Sequence, residues 1–275
     1  MKKFLFLFSF IFTIALVLAG CGGTDNDNNA GNDKNNAKQT GSLFDDIKEK
    51  GVLTVGTEGT YAPYTFHNEK DQLTGYDVEV IKEVAKRMDL KVEFMETQWD
   101  SMFAGLNSKR FDLIANQVGI NEDRQANYDF SEPYTYSSAV LVVPKDNSDI
   151  TTFADLKGRK AAQSLTSNYG AIAQENGAEI VGVEGLAQSI ELIKQGRAEA
   201  TVNDKLAVLD YIKSQGDESI KIAASSDDVS EMAFTFNKGN EDLVKAVNEQ
   251  LAAMRDDGTL AKISQEWFGE DVSTK

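Results

Sequence analysis

From Phe44 onward, short apolar runs alternate with segments whose apolar residues recur at helical spacing. "GVLTVGT" (51–57) reads as a strand closed by glycine, and "YDVEVIKEVAKRM" (76–88) sets Val80, Ile81, Val84, Ala85 and Met88 on one helical face. "KVEFMET" (91–97) reads as a strand, "WDSMFAGLNSKR" (99–110) as a helix and "FDLIANQV" (111–118) as a strand, before a long β-rich run, "YSSAVLVVPK" (136–145). The alternation then starts over. "KAAQSL" (160–165) precedes the helix "SNYGAIAQEN", "EIVGVEG" (179–185) precedes "LAQSIELIKQGR", and "AEATVND" (198–204) leads into "KLAVLDYIKSQG". "SEMAFTFNKG" (230–239) is a second long strand-like run, followed by helices at about 240–256 and 258–268. Strands alternating with helices predict parallel βαβ units and an α/β fold. Two such series, separated by one long β run and followed by another, predict two lobes joined by two crossing strands. Lobe 1 is then discontinuous, 44–143 with 233–270, and lobe 2 spans 144–232. Ligands of open α/β sheets sit beyond the carboxyl ends of the strands, so two lobes facing each other there would form a cleft.

The N-terminus carries a different signal. Lys2 and Lys3 precede an apolar run from Phe4 to Ala19 that is short for a membrane span and ends in small residues, the layout of a secretory signal over residues 1–20. The ending "LAGC" resembles the bacterial lipobox, where cleavage leaves an acylated cysteine as the first mature residue. Cys21 is the sole cysteine of the chain, so no internal disulfide is available to it. Two or three acyl chains would anchor the protein stably on the extracytoplasmic face of a cell membrane. Residues 22–42 hold no large apolar side chain and read, with Cys21 and Leu43, as a flexible tether. With a net charge of −16 and no basic patch of the kind nucleic acid requires in the sequence, nucleic acid is not an expected partner, and an acidic body of this kind is not drawn to anionic lipid.

Chemistry concentrates in "IANQVGINEDRQANYDFSEPY" (114–134), where an apolar strand turns polar and Arg124 follows. A guanidinium presents paired donors in one plane and suits a carboxylate. Asn116, Gln117 and Gly119 end the strand, where a side-chain amide or backbone carbonyl can receive an ammonium. Thr166 and Ser167 stand at a helix start, which favours an anion. With "GVLTVGTEGTYAPYTF", "LTGYDVEVIKEVAKRM", "QWDSMFAGLNSKRFDLIANQVGINEDR", "YDFSEPY" and "AEATVNDKLAVLDY", the chain from about 44 to 270 resembles the polar amino-acid-binding solute receptors of bacterial ABC importers. The resemblance implies a two-lobe periplasmic-binding-protein-like fold with two hinge strands. It also implies that Arg124 clamps the ligand α-carboxylate, Asp204 receives the α-ammonium, Tyr61 and Trp99 sandwich the ligand, and Glu58 meets a cationic group. Tyr64 and Phe66 read as core, and Gln163 and Asn168 as ordinary polar positions. "NQVGINEDR" looks most like the cystine-binding branch, many relatives having small Ser/Thr residues at 116, 117 and 119.

The expected role is therefore a monomeric receptor that hands an amino acid, L-cystine first and arginine or lysine second, to the membrane subunits of an importer. The same fold hosts extracytoplasmic dehydratases. Against an enzyme, the chain has one histidine, His67, set in a turn, and Glu58 and Asp204 are better matched to ammonium groups than to acid–base work. No Cys/His cluster suits a metal and no cofactor is expected. A sensory receptor domain would need a membrane span and a cytoplasmic module after the last strand, and neither precedes Lys275.

Overall fold

The computed structural model describes residues 41–275; the leader, Cys21 and nearly all of the expected tether lie outside the described residues. The folded body opens on α1 (Leu43–Lys50), one residue earlier than expected, because Ser42 and Asp45 form a reciprocal cap around its first turn. There follow β1 (Val52–Thr57), β2 (Thr60–Tyr61), β3 (Thr65–His67), β4 (Leu73–Thr74), α2 (Tyr76–Arg87), β5 (Lys91–Glu96), α3 (Trp99–Asn107) and β6 (Leu113–Gly119). The chain continues through α4 (Glu122–Asn127), β7 (Tyr128–Phe130) and β8 (Thr135–Pro144). Beyond them lie β9 (Lys160–Gln163), α5 (Asn168–Glu175), β10 (Glu179–Gly182), α6 (Leu186–Lys194), β11 (Thr201–Asp204) and α7 (Lys205–Gln215). β12 (Ile220–Asn237), α8 (Glu241–Asp256) and α9 (Thr259–Phe268) complete the order.

The fold is a two-lobe α/β architecture built on a mixed sheet. Its strand order is β11-β8-β12-β6-β1-β5, with β7 also on β12. β5, β1 and β6 run parallel on one side of the long β8/β12 pair. On the other side β9 and β10 run parallel, and Ala161 bridges to Ala200 ahead of β11. β8 and β12 are antiparallel along almost their whole length, from Ile220 opposite Pro144 to Met232 opposite Thr135. Between Ser225/Val140 and Val229/Ser138 the register shifts, a bulge in the middle of the crossing pair.

The apolar pattern explains which faces are buried. α2 turns Val80, Ile81, Val84 and Ala85 onto the sheet, and the residues of β6 are buried from end to end, as a central strand covered on both faces requires. The α3 pattern had suggested a helix to residue 110, but it stops at Asn107 because Lys109 adopts a left-handed backbone, φ 58°. Among the described residues no helix is long and apolar enough to cross a membrane.

Candidate functional site

A cleft opens between the strand ends of the two lobes. From lobe 1 it is lined by Glu58 after β1, by Tyr61 on β2, by Trp99 at the start of α3, and by Asn116 and Gln117 on β6. From lobe 2 it is lined by Gln163, Ser164, Ser167, Asn168, Tyr169, Glu184–Leu186 and Asn203, residues that end or follow β9, follow β10 or lie near the end of β11. The strand-end rule thus holds in both lobes.

Asn116 and Gln117 reach the cleft through a fault in the ladder. Between Ile114 opposite Thr235 and Val118 opposite Ala233, β6 advances four residues while β12 advances two. The surplus forms a bulge, and Gln117 sits at φ 49°, an uncommon conformation for a side-chain-bearing residue. Asp77, fully buried on α2, holds that geometry: its Oδ2 accepts from the Gln117 backbone N–H and its Oδ1 from Gln117 Nε2, both at 2.7 Å. Burial pushes the Asp77 carboxyl up to about 7, the Gln117 bonds pulling it back. Asn116 in turn holds Glu58, whose carboxyl burial raises to about 7 against the same opposing hydrogen bond.

Arg124 lies on α4, which is capped by Asn121 Oδ1 accepting from the Arg124 backbone N–H at 2.8 Å. Its side chain is buried over the rings of Trp99 and Phe103, 5.3 Å from each centroid. Nη1 donates to the Gly119 carbonyl at 2.9 Å and Nη2 to the Thr166 carbonyl at 3.4 Å. Among the described residues the guanidinium makes no ion pair, and burial alone lowers it to about 10, still cationic at neutral pH.

Asp204 is the mirror case. It caps α7, is 1% exposed, and forms no ion pair among the described residues. Its Oδ1 accepts from the hydroxyl of Tyr64 at 2.6 Å and the backbone N–H groups of Leu206 and Ala207, and its Oδ2 from the hydroxyl of Tyr169 at 3.0 Å. Tyr61 donates to Asn203 at 2.9 Å across the same gap. Burial, then the Asp204 charge, raises the phenols of Tyr61, Tyr64 and Tyr169, which therefore stay neutral donors.

Of the residues singled out in the sequence, Glu58, Tyr61, Trp99, Asn116, Gln117 and Ser167 line the cleft. Arg124, Asp204 and Gly119 stand behind it and Thr166 lies exposed beside it: Arg124 bonds Gly119 and Thr166, and Asp204 bonds the lining Tyr169. Gln163 and Asn168, read as ordinary polar positions, line the wall, as do Glu184 and Asn203. Position at a strand end for Gln163, and just beyond one for Glu184, was the signal available. Tyr64 is core, as expected, yet its hydroxyl reaches the opposite lobe. Ser167 caps α5, its Oγ accepting from the Gly170 N–H at 2.9 Å. No metal-holding group of His, Cys, Asp and Glu occurs among the described residues.

Two lobes closing on a polar cleft, with a buried cation and a buried carboxylate behind its walls, define a solute-binding receptor. The chain belongs to the bacterial extracellular solute-binding proteins, family 3, whose pattern matches residues 53–270. It is 57% identical to the L-cystine-binding protein TcyA of Bacillus subtilis, over 99% of this chain and all of that one. It is 39% identical to the L-cystine-binding protein TcyJ of Escherichia coli, over 84% of this chain and 88% of that one. Among solved structures, the L-cystine solute receptor of Neisseria gonorrhoeae in its unliganded open conformation is 51% identical, over 86% of this chain and all of that one, with a TM-score of 0.58. A histidine-bound ABC uptake transporter substrate-binding protein from Streptococcus pneumoniae, 26% identical over 86% of this chain and all of that one, superposes at 0.80. These relatives are binding proteins rather than enzymes.

Proposed function

We propose that the protein is a receptor that captures L-cystine between its lobes and delivers it to the membrane subunits of an ABC importer. The carrying observation is charge left open inside the fold: Arg124 and Asp204 are both buried and neither has a countercharge among the described residues. Buried charges of opposite sign are stabilised when paired, and an amino-acid head supplies both partners at once. The second ammonium of cystine would meet Glu58 and Asn116, with Glu184 on the facing lobe. High identity to two L-cystine-binding proteins supports that ligand over others. Glu58 also favours a second reading, a receptor for arginine or lysine, because a side-chain cation would satisfy the same carboxylate.

The register shift at 225–229 in β12 and 138–140 in β8 supports a hinge there, with the lobes parting near those residues. The TM-scores point the same way: this chain superposes better on a ligand-bound receptor of low identity than on an open receptor of high identity. The protein would act as a monomer, held by an acylated Cys21 on the extracytoplasmic face. Calorimetric titration of residues 42–275 against the common amino acids and L-cystine tests the reading. Cystine should bind tightest; arginine or lysine binding tightest selects the second reading, and no amino acid binding overturns both.

A further inference from the structure

Thr166 was expected, from its place before a helix, to offer its donors to the ligand carboxylate. The structure spends them elsewhere. The backbone N–H and the hydroxyl of Thr166, on lobe 2, both donate to Oδ1 of Asp100 in the first turn of α3 on lobe 1, at 3.1 and 2.7 Å. From the same lobe, Arg124 Nη2 donates to the Thr166 carbonyl. Thr166 is therefore gripped at its backbone donor, its backbone acceptor and its side chain by residues across the gap. Neither Asp100 nor Thr166 lines the cleft, and both are exposed, so this contact can form and break without disturbing either core.

We infer that Asp100 is a positioning residue of ligand capture, clasping Thr166 across the cleft mouth and holding the lobes closed over the ligand. The inference rests on the closing-receptor reading above. A contact that exists only in the closed arrangement, and that includes no ligand atom, stabilises the bound state by shifting the closed population. It slows escape and leaves encounter alone. A carboxylate is the stronger acceptor for such a bond, but an exposed one is weakened by water, so the effect is moderate. An amide oxygen at the same place should serve nearly as well.

Stopped-flow kinetics with L-cystine on the parent, Asp100→Ala, Asp100→Asn, Thr166→Ala and the double alanine variant of residues 42–275 tests this. Asp100→Ala should release cystine roughly three- to tenfold faster, the change expected for one or two partly exposed hydrogen bonds, with association within about twofold of the parent. Thr166→Ala should fall between, the double variant should match Asp100→Ala, and Asp100→Asn should stay within about twofold of the parent. Melting temperatures of the free proteins should agree, since both side chains are exposed. If the parent binds no cystine, the ligand assignment fails separately and the same cycle is read with L-arginine. A parent-like release rate in Asp100→Ala, or additive effects in the double variant, overturns the clasp.

Discussion

Glu58 and Asn116 exchange two hydrogen bonds: the Glu58 backbone N–H donates to Asn116 Oδ1 at 2.8 Å, and Asn116 Nδ2 donates to Glu58 Oε2 at 2.6 Å. The exchange fixes a carboxyl at the cleft wall, and burial holds it near 7. An ammonium arriving beside it would favour the carboxylate and lower that value in the complex. Binding should therefore release a proton near neutrality. Affinity for cystine should be full above about pH 8 and weaken as pH falls through 7. Glu58→Gln should bind more weakly at pH 8 and lose the dependence. Calorimetry in buffers of different ionisation enthalpy counts the protons directly. A parent affinity that is flat from about pH 6 to 8 would remove Glu58 from the ammonium site.

The same burial has a consequence for stability. Glu58 and Asp77 sit near 7 when folded and near 4 in an unfolded chain, so the folded state binds more protons between those values. Their contribution is present below about pH 4 and is lost as pH rises to about 7. His67, raised by hydrogen bonding to Glu96, moves the same way, whereas Asp155 and Asp257, held near 2 by hydrogen bonds, titrate below this window. The ligand-free protein should melt at a higher temperature near pH 5 than near pH 8, and Asp77→Asn should flatten the slope. Melting temperatures that climb between pH 5 and 7 would contradict the assignment.

Closure is measurable without any mutation. If the lobes hinge at the bulged crossing of β8 and β12, saturating cystine should reduce the radius of gyration seen by small-angle scattering. An unchanged scattering curve at saturation would rule out the motion.

Attachment is a separate claim, and it concerns Cys21, outside the described residues. In a cell that makes the full chain, Cys21→Ala should block processing or release the protein from the membrane fraction. A variant that is processed and fractionates like the parent would rule out acylation.

The sequence made some of this structure legible and hid the rest for identifiable reasons. α2 was readable because Val80, Ile81, Val84 and Ala85 repeat its period, and the buried strand β6 because its residues are apolar until Asn116. α4 was not, since "EDRQAN" has no apolar stripe to reveal it. The first half of β12 was hidden by "SSDD", polar residues carried within a long strand whose flanks, Lys221 and Val229, pair with β8. Arg124 could be singled out by residue type and place, and Asp204 through the resemblance that its "TVND" motif carries. What could not be read locally was the support: Asp77 shapes the Asn116–Gln117 bulge from forty positions away, and Asp100 claims Thr166 from sixty-six. Long-range partners leave no trace in a periodicity.

Arg124 gives the most decisive test, because the proposed role in binding and the effect on stability separate. In the free protein it is a buried cation with two carbonyl acceptors, two aromatic rings and no anion among the described residues. Leaving a charge buried without a partner is unfavourable, so Arg124→Ala should leave the melting temperature of the free protein close to the parent or raise it. Binding should respond in the opposite sense. Losing one partner of a desolvated charge pair costs about 2–5 kcal/mol, or roughly 30-fold to several-thousand-fold in dissociation constant. Arg124→Lys should recover little, because an ammonium cannot span Gly119, Thr166 and a carboxylate with a planar fork. Arg110, exposed in the turn after α3, is the matched control, and Arg110→Ala should bind within about twofold of the parent. A surface-loop arginine would make both alanine variants silent. Calorimetry and melting curves on the same samples decide the matter, and a folded Arg124→Ala protein that binds amino acid like the parent would sink the site assignment.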